Sequence, residues 1–216
     1  MNYTKTCKQY REEAHNLFKT QSNNLVTLYL VYFLIVIGIG VLAIFGVGAI
    51  INLLITGSLM IAFAYVSKKV HRGENVITDD LFYGFNDFGN SFVLYLLVSI
   101  YTFLWSLLFI IPGIVKAVSY SMVYYIKNDN PDYTPSQCIE ESKRIMEGHK
   151  MDAFLLMLSY IGWIILSCFT FGILLIWVLP KMYISLYLFY LDITDKQNAG
   201  DGVVNNDEEI QVVYVE

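Results

Sequence analysis

Three long apolar blocks, separated by short polar segments, constrain the fold of this chain more than any other feature of its sequence. The blocks run from Asn24 to Ser67, from Ser91 to Ile126 and from Met151 to Ile193, and each contains about 36 to 44 residues. One helical crossing of a bilayer needs about 20 residues. Each block is therefore long enough for two crossings, and the sequence predicts three helical hairpins.

We therefore expect an all-α membrane protein with six transmembrane helices, arranged as three pseudo-repeated hairpins. The predicted spans are roughly residues 24–46, 48–67, 91–108, 110–127, 151–168 and 172–192. Composition agrees, because 56% of the residues are hydrophobic and only 15% are charged. In this interpretation residues 1–193 form a single polytopic membrane domain, and residues 194–216 form an acidic cytoplasmic tail that is predicted to be disordered.

A short amphipathic segment precedes each apolar block. Apolar residues recur at helical spacing in these segments, and two of them open with a capping-box pattern, at Thr6 to Gln9 and at Thr134 to Gln137. The sequence predicts a cytoplasmic amphipathic helix at each place. Two interpretations of these helices stay open: each packs beneath its own hairpin and seals it, or together they form a collar that senses lipid or docks a partner.

Lysine and arginine are concentrated in the polar segments, and the turns predicted inside the blocks carry no charge. Those turns lie near residues 46–48, 111–113 and 170–172. Because basic residues favour the cytoplasmic side of a membrane, we expect all three polar segments and both termini to be cytoplasmic. The other face is then expected to present only tight turns.

Lys116 and Lys181 are the only basic residues inside the apolar blocks. A lysine near the bilayer centre costs about 2.5 to 3.5 kcal/mol on insertion scales, so something has to compensate for it. One interpretation is a polar groove between the second helices of the hairpins, able to hold an anionic or zwitterionic group. In the other, each lysine snorkels toward a headgroup phosphate. The residues of the candidate groove are Thr56, Lys116, Tyr120, Tyr124, Lys181 and Ser185.

The sequence contains no recognisable motif for catalysis or for holding a metal or cofactor. The cysteines and histidines number three each and are widely spaced, and no zincin, nucleophile-elbow or Walker pattern occurs. A net charge of −5 without a concentrated basic surface disfavours nucleic acid as a partner. We therefore expect no enzyme, no catalytic residue, no metal, no cofactor and no nucleic-acid partner.

The second half of the chain contains an ordered series of motifs: Ile110 to Ser121, Asn130-Pro131, Glu141 to Lys150, Leu158 to Trp163, Leu179-Pro180 and Phe189-Tyr190. This series resembles a known family, the bacterial integral membrane proteins called domain of unknown function 975. The resemblance covers about residues 5 to 193 and implies a protein of the bacterial cytoplasmic membrane, without an established activity, ligand or catalytic residue. Lys181 stands where relatives tend to have an aromatic residue.

Two functional interpretations follow from these observations. The first is a non-enzymatic membrane accessory or organising protein, which engages the lipid bilayer and a cytoplasmic or membrane protein partner through its interfacial helices and acidic tail. The alternative is a small transporter or export component with a wet polar groove between the second helices. We favour the first, because the intramembrane lysines can snorkel and no acidic residue lies at comparable depth.

Overall fold

The computed structural model describes residues 5–43, 48–108, 110–170 and 172–200. Within these ranges the chain forms nine α-helices and one 3-10 helix and no strand, which confirms the all-α prediction. The 3-10 helix spans Thr78–Phe85. The α-helices are α1 (Cys7–Thr20), α2 (Ser22–Ala43), α3 (Gly48–His71), α4 (Phe88–Leu108), α5 (Ile110–Ser119), α6 (Val123–Asp129), α7 (Pro135–Ile145), α8 (Lys150–Phe169) and α9 (Leu175–Gly200).

Five of these helices are long and apolar enough to cross a membrane, and together they indicate a multipass membrane protein. They coincide with five of the six predicted spans. Large apolar side chains on them face outward, as at Leu107, which is 73% exposed, and Phe169, which is 80% exposed. Lipid accommodates such side chains, whereas water does not. The five candidate spans are Ser22–Val41, Ile51–His71, Phe88–Leu107, Lys150–Phe169 and Leu175–Asp195.

The segment predicted as the fourth span, residues 110–127, is not one continuous helix. α5 contains 10 residues and α6 contains 7, and residues 120–122 form a turn between them. At about 1.5 Å per residue, α5 covers roughly 15 Å, about half of a hydrocarbon core. This segment therefore does not meet the length criterion that the five long helices meet.

Three predicted features lie partly outside the described residues. The turn predicted near residues 46–48 includes residues 46 and 47, the turn predicted near residues 170–172 includes residue 171, and the acidic tail includes residues 201–216. The described part of the tail is helical, because α9 continues to Gly200, beyond the domain boundary that we placed after residue 193.

The buried centre of the molecule lies where α2, α3 and α9 meet. Phe63 of α3 packs against Tyr29 and Tyr32 of α2, with ring centroids 5.1 and 4.9 Å away, and against Tyr183 of α9 at 4.9 Å. Aromatic pairs at these distances bury large areas and have preferred geometries. The cluster therefore fixes α9 against the first two long helices.

Each short element packs mainly on a helix of a different predicted hairpin from the one that it precedes. α1 packs mainly on α9, the 3-10 helix on α3, and α7 on α6 and α4. The main contacts therefore differ from the first of the two interpretations, in which each element packs beneath its own hairpin. Short linkers explain the difference, because one residue, Gln21, separates α1 from α2. So short a linker does not let α1 fold back along α2.

Small residues and buried serines lie at the contacts between the short elements and the helices on which they pack. The Ser185 hydroxyl donates a hydrogen bond to the carbonyl of Tyr10 in α1 at 3.3 Å. The Ser142 hydroxyl of α7 donates to the carbonyl of Ser119 at 2.8 Å. Gly84 of the 3-10 helix lies against the backbone of Ser58, so closely that a Cβ at residue 84 would overlap it. Close approach of backbones at small residues is typical of helix packing in membranes.

Two buried polar side chains anchor α6. The Lys127 ammonium donates to the carbonyl of Pro131 at 2.7 Å and lies 3.2 Å from the Asp87 carboxylate. The Asn128 amide donates to the carbonyl of Ile61 in α3 at 2.9 Å. These contacts attach the short helix to the start of α4 and to α3, so α6 does not depend on its own length for stability.

We expect Gly84→Ala to lower the free energy of unfolding by about 1 to 3 kcal/mol, because the added methyl group overlaps the Ser58 backbone. The measurement is thermal unfolding of the purified protein in detergent, followed by circular dichroism. Gly89→Ala is the matched control, since a Cβ there meets no atom within 4 Å. Equal unfolding midpoints for the two variants would show that the 3-10 helix does not pack on Ser58.

Candidate functional site

A cleft of about 870 Å³ lies beside the contact of α1 with α8 and α9 and is lined by residues of all three helices. We term it the basic cleft. Its charged lining residues are Lys8, Arg11 and Glu12 of α1 and Lys181 of α9, and its aromatic lining residues are Tyr160, Trp163 and Trp177. Tyr160 lies against Arg11, whereas Trp163 and Trp177 lie further along α8 and α9, toward the turn that joins them, and form the aromatic end.

The position of α1 determines where the cationic wall lies. Tyr10, Ala14 and Phe18 recur every four residues and form the buried face of the helix. The Tyr10 hydroxyl donates to the Asp192 carboxylate at 2.5 Å, and the Tyr10 ring meets Phe189 edge-on at 5.6 Å. Burial and the neighbouring Asp192 carboxylate raise the pKa of the Tyr10 hydroxyl, which therefore stays protonated and donates.

The contacts show that α1 lies antiparallel along α9. Tyr10 contacts residues near the end of the span at Asp192, whereas Phe18 contacts Lys181, 11 positions earlier in α9. In this orientation the polar residues that flank the buried face of α1 project into the basic cleft. Lys8 lies three residues before Arg11 and four before Glu12, and His15 lies four residues after Arg11, which places all four on one side of the helix.

The cationic residues of the basic cleft outnumber its carboxylate. Lys8, Arg11 and Lys181 stand against Glu12, so the formal charge of these four side chains is +2. Glu12 lies 3.7 Å from the Lys8 ammonium in an exposed ion pair. Among the residues that the structure describes, no carboxylate lies within 4.0 Å of the charged nitrogens of Arg11 or Lys181. Their charge is therefore uncompensated by the described part of the protein.

Both uncompensated cations lie over aromatic rings. The Arg11 guanidinium is 5.4 Å from the centre of the Tyr160 ring, and the Lys181 ammonium is 4.9 Å from the centre of the Phe18 ring. Such contacts stabilise a partly desolvated cation by about 0.5 to 2 kcal/mol. They hold each charge in place at the cleft wall, but they do not neutralise it.

The pKa of the His15 imidazole reflects the positive potential of the basic cleft. Its side chain is partly buried, and burial together with the nearby Lys181 and Lys19 ammonium groups lowers the pKa of the imidazole. The imidazole is therefore neutral at pH 7, since its ordinary pKa is already about 6.5. An anion in the cleft would act in the opposite direction and raise this pKa.

The aromatic end of the basic cleft is formed by α8 and α9. Trp163 and Trp177 remain 46% and 41% exposed. The Tyr160 hydroxyl is 2.6 Å from the Ser185 hydroxyl and is buried there. Tryptophan at such positions is typical of the zone between lipid headgroups and acyl chains. The cleft as a whole is amphipathic, with cations at one end and ring faces at the other.

Of the six residues predicted to form a polar groove, two lie beside α1. Lys181 lines the basic cleft, and Ser185 lies one helical turn away and bonds to Tyr160 and Tyr10. Lys116 lies elsewhere, with its ammonium 4.7 Å from the centre of the Trp105 ring.

The other three predicted groove residues have separate surroundings. The Thr56 hydroxyl donates to the Asn52 carbonyl of its own helix at 2.6 Å. Tyr120 is buried in the turn between α5 and α6, with the Lys143 ammonium 5.7 Å from its ring centre. Tyr124 lines an apolar groove of about 500 Å³. The structure therefore distributes the six residues over several environments.

Sequence reasoning did not assign a site role to Arg11, His15, Trp163 or Trp177. The spacing of Lys8, Arg11 and His15 along one side of α1 was a usable signal. It could not indicate that this side meets Lys181, because the contact joins residues more than 160 positions apart. No group of three or more metal-ligating side chains lies together in the described ranges.

One comparison with known proteins gave a match. A family model described as "Protein of unknown function (DUF975)" matches residues 1–119 and 109–197. No curated protein and no solved structure matches the chain.

We expect Lys181→Met to raise the pKa of His15, because the variant removes one of the positive charges that lower it. The measurement is an NMR titration of the ¹³C-labelled histidines, with the His15 signal assigned from a His15→Gln spectrum. The other charged groups near His15 are Lys8, Arg11, Glu12 and Lys19, and they are retained in the variant.

The matched control is Lys116→Met, which removes the other lysine of the apolar blocks, beside Trp105. It should leave the pKa of His15 unchanged. An identical His15 titration in the Lys181 variant and the wild type would show that α1 does not lie against Lys181.

Proposed function

Since the chain belongs to the family described as "Protein of unknown function (DUF975)", whose description assigns no activity, we propose a function from the geometry of the molecule. The protein is a non-enzymatic membrane accessory or organising protein that binds an anionic membrane lipid in the basic cleft. The observation that carries the proposal is the charge of Arg11 and Lys181 at the cationic end of an amphipathic cleft, for which the described residues supply no carboxylate within 4.0 Å.

Electrostatics favours an anionic occupant of the cleft. A cation that has lost part of its hydration in or near a bilayer is costly unless an opposite charge compensates for it. A lipid phosphate supplies that charge and is abundant at this depth. Arg11 adds geometric preference, because a guanidinium can donate two parallel hydrogen bonds to phosphate oxygens.

The aromatic end favours a lipid over a small soluble anion. Trp163 and Trp177 present ring faces along the path from Lys181 toward the turn between α8 and α9. A soluble anion would leave these faces to solvent or to unrelated lipid. An acyl chain attached to the bound headgroup would cover them, and burying apolar surface of this kind stabilises binding.

The proposal includes a topology of six spans, in which α5 and α6 together make a broken fourth crossing. A break inside a membrane requires that neighbouring groups satisfy the freed backbone atoms. The Ser142 hydroxyl does so at the carbonyl of Ser119, the last residue of α5. Each short element packs on the second half of another predicted hairpin, namely on α9, α3 or α6. These equivalent positions support the three pseudo-repeated hairpins.

We place both termini and the short elements on the cytoplasmic side of a bacterial membrane. The distribution of lysine and arginine supports this orientation, since Lys68, Lys69 and Arg72 follow the second span and Lys143 and Arg144 precede the fifth. Lipid bound beside α1 would then come from the cytoplasmic leaflet. A protein partner at this face, engaged through the acidic tail, remains part of the proposal.

The transport alternative has less support. It requires Thr56, Lys116 and Lys181 to share one aqueous path, whereas Thr56 bonds within its own helix and Lys116 lies over Trp105. Single cysteines at positions 56, 116 and 181 in a cysteine-free background should therefore not all react with a membrane-impermeant thiol reagent in intact cells. Labelling at all three positions would replace the lipid-binding proposal with a transport function.

The direct test of the proposed function is quenching of Trp163 and Trp177 fluorescence by lipids with brominated acyl chains, in nanodiscs and in a Trp105→Phe background. We expect brominated phosphatidylglycerol to quench more strongly than brominated phosphatidylcholine of the same chain length. The double variant Arg11→Gln, Lys181→Met should weaken this preference about tenfold, the size expected when charge-assisted hydrogen bonds are lost.

Lys116→Met in the same background is the matched control, and it should retain the preference. Circular dichroism of each variant in nanodiscs confirms that the helices are intact. Equal quenching of the wild type by the two lipids would refute the proposed function.

A further inference from the structure

We infer that the headgroup bound in the basic cleft is a phosphomonoester, the class to which phosphatidic acid belongs, rather than the phosphodiester of most phospholipids. This inference rests on the proposed function, because it names the lipid class that the same cleft prefers. Its basis is the number of uncompensated cations and the scarcity of neutral polar groups around them.

The charge of the cleft matches a dianion. Lys8 is paired with Glu12 at 3.7 Å, so within the lining Arg11 and Lys181 are the two cations that have no carboxylate of the described residues within 4.0 Å. A phosphodiester carries one negative charge and would compensate for only one of them. A phosphate monoester carries about 1.5 to 2 negative charges at pH 7, and two cations in the same cleft favour its dianionic form.

The surroundings of the two cations favour a small headgroup. Phe18 and Tyr160 cover one side of Lys181 and Arg11, so the phosphate approaches from the open side of the cleft. A headgroup alcohol such as glycerol would need neutral hydrogen-bonding partners beyond the phosphate. Within the described lining the neutral polar side chains are few, namely Asn16, His15 and the indole N–H groups of Trp163 and Trp177, whereas the Tyr160 hydroxyl is engaged with Ser185.

His15 is a third candidate hydrogen-bond donor to the anion, beside Arg11 and Lys181. It lies on the same side of α1 as Arg11, one helical turn further along, and its imidazole is neutral at pH 7. A neutral imidazole donates one hydrogen bond without adding charge. Three donors of different kinds, a guanidinium, an ammonium and an imidazole, therefore line the cleft, and a phosphate monoester has three terminal oxygens to accept from them. A phosphodiester offers only two such oxygens.

The experiment compares three brominated lipids with identical acyl chains in the Trp105→Phe background: phosphatidic acid, phosphatidylglycerol and phosphatidylcholine. We expect phosphatidic acid to reach half-maximal quenching of Trp163 and Trp177 at a mole fraction about tenfold lower than phosphatidylglycerol, since one more charge-assisted interaction forms. Arg11→Gln should remove the difference between the two anionic lipids.

Glu12→Gln is a second variant with an effect that misfolding would not produce. It removes the one carboxylate of the lining and should strengthen quenching by phosphatidic acid relative to the wild type. Unchanged or weaker quenching in this variant would contradict the electrostatic argument, provided that circular dichroism shows intact helices.

The remaining outcomes separate this inference from the function on which it rests. Equal quenching by phosphatidic acid and phosphatidylglycerol, both stronger than phosphatidylcholine, overturns the monoester preference and leaves anionic-lipid binding in place. Equal quenching by all three lipids overturns both. Displacement of the brominated phosphatidic acid by soluble glycerol 3-phosphate at equal concentration would identify a soluble phosphate as the ligand and overturn the lipid assignment.

Discussion

The contact between α1 and α9 determines the surroundings of every charged residue in the basic cleft. Tyr10, Ala14 and Phe18 bury one face of α1, and the hydrogen bond from Tyr10 to Asp192 sets the register along α9. A rotation of α1 by one residue, about 100°, would turn the buried face outward and remove the cationic side chains from the cleft. The cleft therefore exists only because an N-terminal helix packs against the last long helix of the chain.

Lys181 illustrates how the protein accommodates a charge near a membrane. Pro180 and Lys181 interrupt an otherwise apolar span, and the chain contributes no carboxylate at that depth in its described part. Instead, Phe18 lies beneath the ammonium, and the cationic residues of α1 lie beside it. Grouping like charges is unfavourable in the isolated protein. The arrangement becomes favourable when an anion binds, which is why we interpret the cleft as a ligand site and not as a structural ion cluster.

The short elements share a structural role that extends beyond this site. The 3-10 helix packs on α3 through Gly84 and Ser58, and α7 packs near the end of α5 through Ser142 and Ser119. The 3-10 helix thereby packs on the helix that precedes it in the chain, and α7 packs near the two helices that precede it. α1 instead packs on α9, far away in the sequence, and the basic cleft lies on its flank. Binding in that cleft would bridge α1, α8 and α9 and stabilise the contact that closes the fold.

Length and composition of the apolar blocks were sufficient to predict an all-α membrane protein and five of its long helices, because a bilayer imposes a fixed hydrophobic length on each crossing. The fourth predicted span, residues 110–127, was apolar enough to cross a bilayer, yet it forms two short helices, α5 and α6. Contacts with other parts of the chain stabilise them: Ser119 with Ser142, Lys127 with Asp87 and Asn128 with Ile61. Hydropathy does not report such contacts, since they join residues far apart in the chain.

The sequence by itself therefore determined the helical class, the position of most long helices and the presence of two lysines that needed an explanation. Only the tertiary structure decided which neighbours those lysines have. Lys116 lies over Trp105, whereas Lys181 joins Arg11 and His15 in the basic cleft. The physical reason is that periodicity specifies which face of a helix is buried but not the helix that covers it. That choice depends on linker length and on the shape of surfaces that form only when the whole chain has packed.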